Sequence, residues 1–236
     1  MAIALLTVVC MLTYSFEIVF GLGGTIMMLP LLAFWFDAKT LVIYSTLPQI
    51  LVGAIGLIRS PKTVEPRFLL GMLAFAAAGS AAGLALFYYL PSSLFQMWLA
   101  TGVTLAGIFL LAAPGRLRLG PATARVLDTI AGVSQALFGI SGPIAMTRLL
   151  ATFADKTVVR NYALAFFLAL NLLRAGGYAV NGTFTVEIGW MMLLSALPLA
   201  LTLWFVNHWH FRVNEAAFRR TVAWLVLVGG ISLFYR

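Results

Sequence analysis

The chain has 236 residues, of which 62% are hydrophobic and only 9% are charged. Together with a mean hydropathy of +1.02, this composition excludes a soluble globular domain and indicates a protein that crosses a membrane several times. We interpret the net charge of +8 as basic loops on the cytoplasmic face of the membrane, so no nucleic-acid partner is expected.

The first half is predicted to hold a series of apolar helices. Residues 1–20 have no Lys or Arg ahead of their apolar run and no convincing cleavage site, which favours a mature membrane segment over a signal peptide. Residues 24–36 would form a helix of about 20 Å, too short for a comfortable crossing. Further spans are predicted at 41–58, 68–90 and 94–113, and small residues in the second of these favour close helix packing.

A basic cytoplasmic linker at 114–124, rich in Pro, Gly and Arg, separates a first transmembrane repeat (1–113) from a second (125–236). The lone Cys10 excludes an internal disulfide and a thiolate metal cluster. The second half follows the plan of the first, with helices predicted at 126–139, 143–153, 157–180, 186–206 and 216–234.

Two glycine clusters inside apolar runs organise the chain. Gly21 and Gly24 in the first half match Gly139 and Gly142 in the second at a separation of 118 residues, and the match continues without a gap into the short helix that follows each cluster. This register indicates an internal duplication, with one broken apolar segment in each half.

The distribution of basic residues depends on whether each broken segment crosses the membrane once or turns back as a hairpin. Single crossings give parallel halves and place seven cations against six on the two faces, which is almost no bias. Hairpins give inverted halves and eleven cations against two (Lys39 and Arg236), which is a strong positive-inside signal. We therefore expect an all-α polytopic protein of two inverted repeats, each a glycine-broken helical hairpin plus three transmembrane helices, with both termini outside.

The two glycine breaks also predict a binding site. Irregular backbone at membrane depth occurs where protein or a water-filled cavity satisfies its polar groups. A helix that begins there points unpaired N–H groups and the positive end of its dipole inward, which suits an anion. Two helices beginning near Gly24 and Gly142 would form one midplane anion site; alternatively, the glycines only allow close packing. The predicted substrate-binding residues are Gly23, Gly24, Thr25, Ser141, Gly142, Arg148, Asn171 and Arg174, with Gln49 and Asn161 as weaker candidates for polar lining.

Charged side chains inside the apolar segments support this interpretation. Arg148 and Arg174 are predicted to face the cavity, because a charge inside a membrane is costly and a guanidinium can grip an oxyanion through two donors. The alternatives for Arg148 are an ion pair with Glu17 or Asp155, or a side chain that extends to the membrane interface. The alternative for Arg174 is an interhelical clamp. Glu17 and its repeat equivalent Gln135 would flank the hairpin tips, where Glu17 either carries a coupling proton or is the fixed partner of an arginine.

The chain resembles the TauE/SafE family of bacterial membrane proteins, known as exporters or permeases of sulfite and organosulfonates. The resemblance rests on Gly21-Leu22-Gly23-Gly24-Thr25-Ile26-Met27-Met28-Leu29-Pro30-Leu31-Leu32, a glycine-rich signature followed by a short apolar run and Pro-Leu-Leu, and on its duplication. The second copy departs from the pattern, with Ser141 for a glycine and Arg148 for a proline. The resemblance implies the bacterial inner membrane and small anionic substrates such as sulfite, sulfonates or related carboxylates.

The combined interpretation is a secondary transporter of a small sulfur oxyanion or organic anion that works by alternating access. The sequence holds no catalytic set with enzyme spacing, no metal-ligand set and no nucleotide-binding loop, so neither an enzyme nor a metal or other cofactor is expected. The remaining alternative is a membrane scaffold protein that packs its glycine-rich faces against partner helices. The expected partners are the small anion and the lipid bilayer, and assembly into a homo-oligomer is left open.

Overall fold

The structure is a computed structural model that describes residues 2–58, 63–112, 119–208 and 215–235, and this part of the chain is built from helices joined by short turns. Of the basic residues assigned to the two faces, Arg59, Lys62, Arg116, Arg118, Arg212 and Arg236 lie outside the described residues. The helices are α1 (Ala2–Phe20), α2 (Gly24–Leu32), α3 (Ala38–Tyr44), α4 (Thr46–Ile58), α5 (Pro66–Tyr89), α6 (Ser92–Ala112), α7 (Pro121–Phe138), α8 (Gly142–Thr152), α9 (Lys156–Val180), α10 (Val186–Val206) and α11 (Glu215–Ser232), followed by a 3-10 turn at Leu233–Tyr235.

These helices confirm the prediction of an all-α polytopic membrane protein. Large apolar side chains such as Leu193, Leu197 and Phe205 on α10 are exposed, as expected of a surface that faces lipid. Within the described residues, six helical segments are long and apolar enough to cross a membrane: Ala2–Phe20, Ala38–Ile58, Pro66–Tyr89, Ser92–Phe109, Lys156–Val180 and Val186–Val206.

The span predicted at 41–58 is confirmed as part of the candidate membrane span Ala38–Ile58. It is divided at Ser45 into α3 and α4, and the Ser45 hydroxyl donates to the carbonyl of Val42 at 2.7 Å. A serine that bonds back to its own helix in this way competes with the helical backbone pattern. The short helix predicted at 24–36 ends at Leu32. The division of the chain into two repeats around a linker stays a prediction.

The first glycine cluster turns the chain back on itself. The hydroxyl of Tyr14 in α1 lies 2.9 Å from the hydroxyl of Thr25 and 3.7 Å from the sulfur of Met28, both in α2. Residues fourteen positions apart could not touch in a straight helix, because each residue adds about 1.5 Å along the axis. Helices α1 and α2 are therefore the two arms of a helical hairpin, with its tip at Gly21–Gly23.

The second glycine cluster makes a similar hairpin from α7 and α8. Gly139 ends α7 with a φ of 72°, a left-handed conformation that glycine adopts without steric cost, and its N–H donates to the carbonyl of Gln135 at 2.8 Å. Arg148 on the returning arm α8 then lies 3.7 Å from Asp128 on α7. The contact across twenty residues shows that α8 runs back along α7.

Helix α9 passes both hairpin tips and shows their relative heights. Arg160 donates from Nε to the carbonyl of Ile18 in the last turn of α1 at 2.8 Å. Arg174 donates from Nη1 to the carbonyl of Gln135 in the last turn of α7 at 2.9 Å. The two arginines are fourteen residues apart, which corresponds to about 21 Å along the helix axis.

The two hairpins therefore come in from opposite ends of the helix bundle. Glu65 donates its N–H to the hydroxyl of Tyr162 at 2.7 Å, so α5 and α9 begin at the same end, and Arg125 near the start of α7 lies over the Phe75 ring of α5 at 5.5 Å. We call this the basic end, since Arg67, Arg125 and Lys156 are exposed there. Helix α7 begins at the basic end. Arg160 also lies near that end, and α1 contacts it through its last turn. Helix α1 therefore begins at the opposite end of the bundle. Inverted repeats would give this arrangement, and the inversion stays a prediction.

The small residues of α5 allow the close packing that the sequence predicts. The backbones of α5 and α7 approach so closely that a Cβ at Gly79 would overlap the Thr129 carbonyl and a Cβ at Gly132 would overlap the backbone of Ala76. Such glycine contacts bring helix axes together in membranes, where packing rather than water exclusion holds helices to each other. This contact fixes α7, and with it the second hairpin, against α5.

We predict that Gly132→Ala lowers the thermal midpoint (Tm) in detergent, because the neighbouring atoms are backbone and cannot rotate away. Overpacking of this kind costs about 1–3 kcal/mol. The matched control is Gly71→Ala on α5, whose added Cβ would meet nothing within 4 Å and should leave Tm unchanged or slightly raised. Equal Tm values for the two variants would contradict the close contact.

Candidate functional site

A polar cavity lies between the two hairpin tips. The space open to the centre of a water molecule is about 20 Å³. Since about 10–15 Å³ of such space holds one water, the cavity in this structure has room for one or two water molecules.

The lining of the cavity comes from equivalent positions of the two halves. Five pairs of lining residues are separated by 118 residues, the spacing of the glycine clusters. Glu17 and Gln135, Gly23 and Ser141, and Gln49 and Phe167 are three of these pairs. A cavity lined in pairs is what a local two-fold relation between the hairpins would produce.

The cavity lies at mid-height in the bundle. Phe167 lines it from α9, seven residues from Arg160 and seven from Arg174. Because α9 has 25 residues, it is about 37 Å long, more than a typical hydrocarbon core of about 30 Å. The middle of such a helix is close to the middle of the membrane.

Glu17 forms one wall and faces the beginning of α2. Its carboxyl group interacts with the backbone N–H groups of Gly24 and Thr25, where a carboxylate is stabilised by the positive end of the helix dipole. A Cβ at Gly24 would overlap this carboxyl group and the Tyr14 ring. Glycine is therefore required at Gly24 so that α2 can begin this close to α1. In consequence, a group of the protein itself already occupies one of the two helix N-termini predicted to bind the anion.

The beginning of α8 forms the opposite wall, with a neutral side chain in the corresponding place. Gln135 stands where the first hairpin has Glu17, and its Oε1 accepts from the Ser141 hydroxyl at 2.6 Å. Pro143 in the first turn of α8 has no N–H to leave unpaired, and Gly142 lies so close to Leu22 that an added Cβ would come within 3.1 Å of it. The N-terminus of α8 therefore has no carboxylate partner comparable to Glu17 among the described lining residues.

An amide network fixes the orientation of the polar lining. Gln135 donates from Nε2 to Gln49 Oε1 at 2.9 Å and to Asn171 Oδ1 at 3.2 Å. Gln49 in turn donates from Nε2 to the carbonyl of Gly139 at 3.0 Å. Each of these amides is buried, so every bond lost would leave a costly unsatisfied polar group.

Arg174 lies one layer behind this network and is fully buried. Besides its bond to the Gln135 carbonyl, its Nη2 donates to Ser45 Oγ at 2.9 Å and to Gln49 Oε1 at 3.3 Å. All of these acceptors are neutral. Within the described part of the chain, the ion pair nearest in sequence to this network joins Arg148 to Asp128 and does not include Arg174. Arg174 thus adds a positive charge to the cavity without a direct carboxylate contact, although Glu17 interacts with it electrostatically at longer range.

The structure does not bring all the predicted residues to one place. Gly24 is packed behind Glu17, and Asn171 and Arg174 support the lining from behind. Arg148 lies farther along α8, against Asp128 and over the Phe68 ring at 4.9 Å. The predicted residues that line the cavity are Glu17, Gly23, Thr25, Gln49, Gln135, Ser141 and Gly142.

Sequence reasoning missed three contributors. Phe167 could have been found from Gln49 by the 118-residue spacing. Ser45 and Asp128 carry no such signal, because the contact of each with an arginine depends on packing between separate helices. The pairing of Arg148 with an acid was foreseen as an alternative, but Glu17 and Asp155 were the acids considered. Asn161 does not line the cavity; it donates to Thr63 Oγ1 at 2.9 Å.

These features define a multi-pass helical membrane protein with a small polar cavity between two opposed hairpins. A family model described as "Sulfite exporter TauE/SafE" matches residues 6–233, and the chain therefore belongs to this family of membrane transporters. No curated protein and no solved structure matches the chain.

We predict that Arg174→Gln lowers Tm strongly, because it leaves Ser45, Gln49 and the Gln135 carbonyl without their buried donor. Loss of a single hydrogen bond to a charged group costs about 1.5–3 kcal/mol. The matched control is Arg67→Gln at the exposed start of α5, which should keep the Tm of the native protein. A native Tm for Arg174→Gln would show that the amide network does not depend on the guanidinium.

Proposed function

We propose that the protein is a secondary transporter that carries a small anion (sulfite, an organosulfonate or a related organic anion) across the bacterial cytoplasmic membrane by alternating access. The observation that carries this proposal is the mid-height cavity, which has the N-terminus of α8 on one wall, Arg174 behind it and Glu17 on the other wall. The TauE/SafE membership supports the substrate class.

The electrostatics of the cavity favour an anion. A buried charge without a close counter-ion is unfavourable by several kcal/mol, and a bound anion would offset that cost at Arg174. The first turn of α8 contributes backbone N–H groups and a positive dipole end. Several of the neutral side chains around the cavity already bond to one another, and Glu17 occupies the N-terminus of α2. The main chain at the beginning of α8 is therefore an important source of donors for a ligand.

Glu17 makes anion binding depend on a proton. An ionised carboxylate about 4 Å from a bound anion would repel it by about 4 kcal/mol at an effective dielectric constant of 20. Protonation of Glu17 removes this repulsion, so the proton and the anion are expected to bind together and to cross together. Gln135 at the equivalent position has an amide side chain, which does not take up or release a proton. The coupling proton is therefore assigned to Glu17 alone.

Alternating access would use the opposed hairpins. One hairpin comes from each end of the bundle, so a small shift of either tip would open the cavity towards its own end while the other stays closed. With the basic end in the cytoplasm, as the positive-inside rule indicates, the amino terminus lies outside.

The test is the flux of labelled sulfite in proteoliposomes, measured as counterflow and as accumulation driven by a pH gradient. The native protein should show both. Glu17→Gln imitates the protonated carboxyl group permanently, so it should keep counterflow but lose at least tenfold in gradient-driven accumulation.

Glu187→Gln is the matched control, since Glu187 is exposed in the first turn of α10, and it should behave like the native protein. Full gradient-driven accumulation by Glu17→Gln would refute the role of Glu17. Absence of flux for sulfite and for a panel of sulfonates, in folded native protein, would favour the scaffold alternative.

A further inference from the structure

A second charged pair lies outside the cavity, between the two arms of the second hairpin. Arg148 Nε on α8 is 3.7 Å from Asp128 Oδ2 on α7, with side-chain exposures of 16% and 5%. Neither Arg148 Nε nor Asp128 Oδ1 has a hydrogen-bond partner. A strong arginine–carboxylate pair is bidentate with distances of about 2.7–2.9 Å, so this pair is loose.

Other groups, not Asp128, hold the guanidinium in place. Its Nη1 donates to the hydroxyl of Thr152 one turn farther along α8, and its Cζ atom lies 4.9 Å from the centre of the Phe68 ring. Phe68 is itself fixed by edge contacts with Phe153 and Tyr162. Arg148 would therefore keep its position if the Asp128 carboxylate were replaced by another oxyanion.

The Arg148–Asp128 pair lies along α8 between the cavity and the basic end. Helix α8 begins at the cavity with Gly142, and Arg148 follows six residues later, which is about 9 Å along the helix axis. In this direction α8 runs back towards the basic end, where α5, α7 and α9 begin. An anion that moved between the cavity and that end along α8 would pass the partly exposed guanidinium.

We propose that Arg148 is a second binding site for the transported oxyanion, on the way between the cavity and the basic end, and that Asp128 occupies this site when no anion is bound. This inference rests on the proposed function, because it assumes that a small oxyanion moves through the protein. The Asp128 carboxylate and the oxyanion share the chemistry that a guanidinium recognises, namely a planar or pyramidal set of negatively charged oxygens. Asp128 is thus an internal competitor that prevents Arg148 from remaining buried without a counter-ion.

The experiment measures the apparent KM for sulfite in proteoliposome flux for four variants: Asp128→Asn, Arg148→Gln, the double variant, and Arg125→Gln as a matched removal of a positive charge from α7. Asp128→Asn should lower the apparent KM about tenfold, because the competitor is gone. Arg148→Gln should raise it about tenfold. The double variant should behave like Arg148→Gln, since Asp128 acts only through Arg148. Arg125→Gln should match the native protein.

Two outcomes would overturn the inference. If both single variants raise KM and the double variant recovers the native value, the pair is only a structural clamp. If Arg148→Gln behaves like Arg125→Gln, the anion does not use Arg148. Should Arg148→Gln fail to fold, Arg148→Lys keeps the charge without the planar fork and should raise KM by a smaller factor; a native KM for Arg148→Lys would count against the site.

A binding measurement separates this inference from the proposed function. Sulfite is titrated against Tm of the purified protein in detergent. If the native protein shows no flux but sulfite raises its Tm, and this effect is lost in Arg148→Gln and kept in Glu17→Gln, the transport proposal fails while the Arg148 site stands. If sulfite has no effect on Tm in either the native protein or Asp128→Asn, the Arg148 site is refuted.

Discussion

A helix that is broken inside a membrane must find partners for its polar backbone, and this requirement determines much of the structure around the cavity. Each of the two breaks leaves carbonyl groups at the end of one helix and N–H groups at the beginning of the next. Helix α9 satisfies both ends with one type of side chain, since Arg160 bonds the last turn of α1 and Arg174 bonds the last turn of α7. A cation at a helix C-terminus also offsets the negative end of the dipole. The same two side chains therefore fix the hairpins and place positive charge above and below the cavity.

The two hairpins are alike in shape but different in charge. Glu17 and Gln135 are equivalent positions on opposite walls, and only Glu17 can carry a proton. Gln49 and Phe167 form a similar pair, in which one half supplies an amide and the other an apolar ring. A cavity with two carboxylates would repel an anion strongly, and a cavity with none would have no proton to exchange. One carboxylate is the combination that the proposed proton-coupled carrier would use.

Much of this architecture could be predicted from the sequence, because it depends on local rules. The glycine clusters, the short helices after them and the 118-residue spacing are visible without coordinates. Together they predict two helical hairpins whose short helices begin near each other, at Gly24 and Gly142. The contacts between side chains on different helices were harder to predict from the sequence. Arg148 lies over Phe68 of α5 and near Asp128 of α7, and Arg174 donates to Ser45 between α3 and α4. No spacing rule links residues on separate helices. The sequence therefore predicts that Arg148 and Arg174 both face the cavity, whereas Arg148 lies against Asp128 and Arg174 lies directly behind the lining.

The most direct test of the account locates the bound anion. Selenite has the shape and charge of sulfite, and its selenium atom gives an anomalous X-ray signal that marks its position. Crystals of the protein grown with selenite at low pH should show an anomalous peak between Glu17, Gln49 and the first turn of α8, and Glu17→Gln crystals should keep this peak at higher pH than native crystals. A peak that is absent from the cavity at every pH, in crystals that hold selenite elsewhere on the protein, would contradict the claim that the space between the hairpin tips is the transport site.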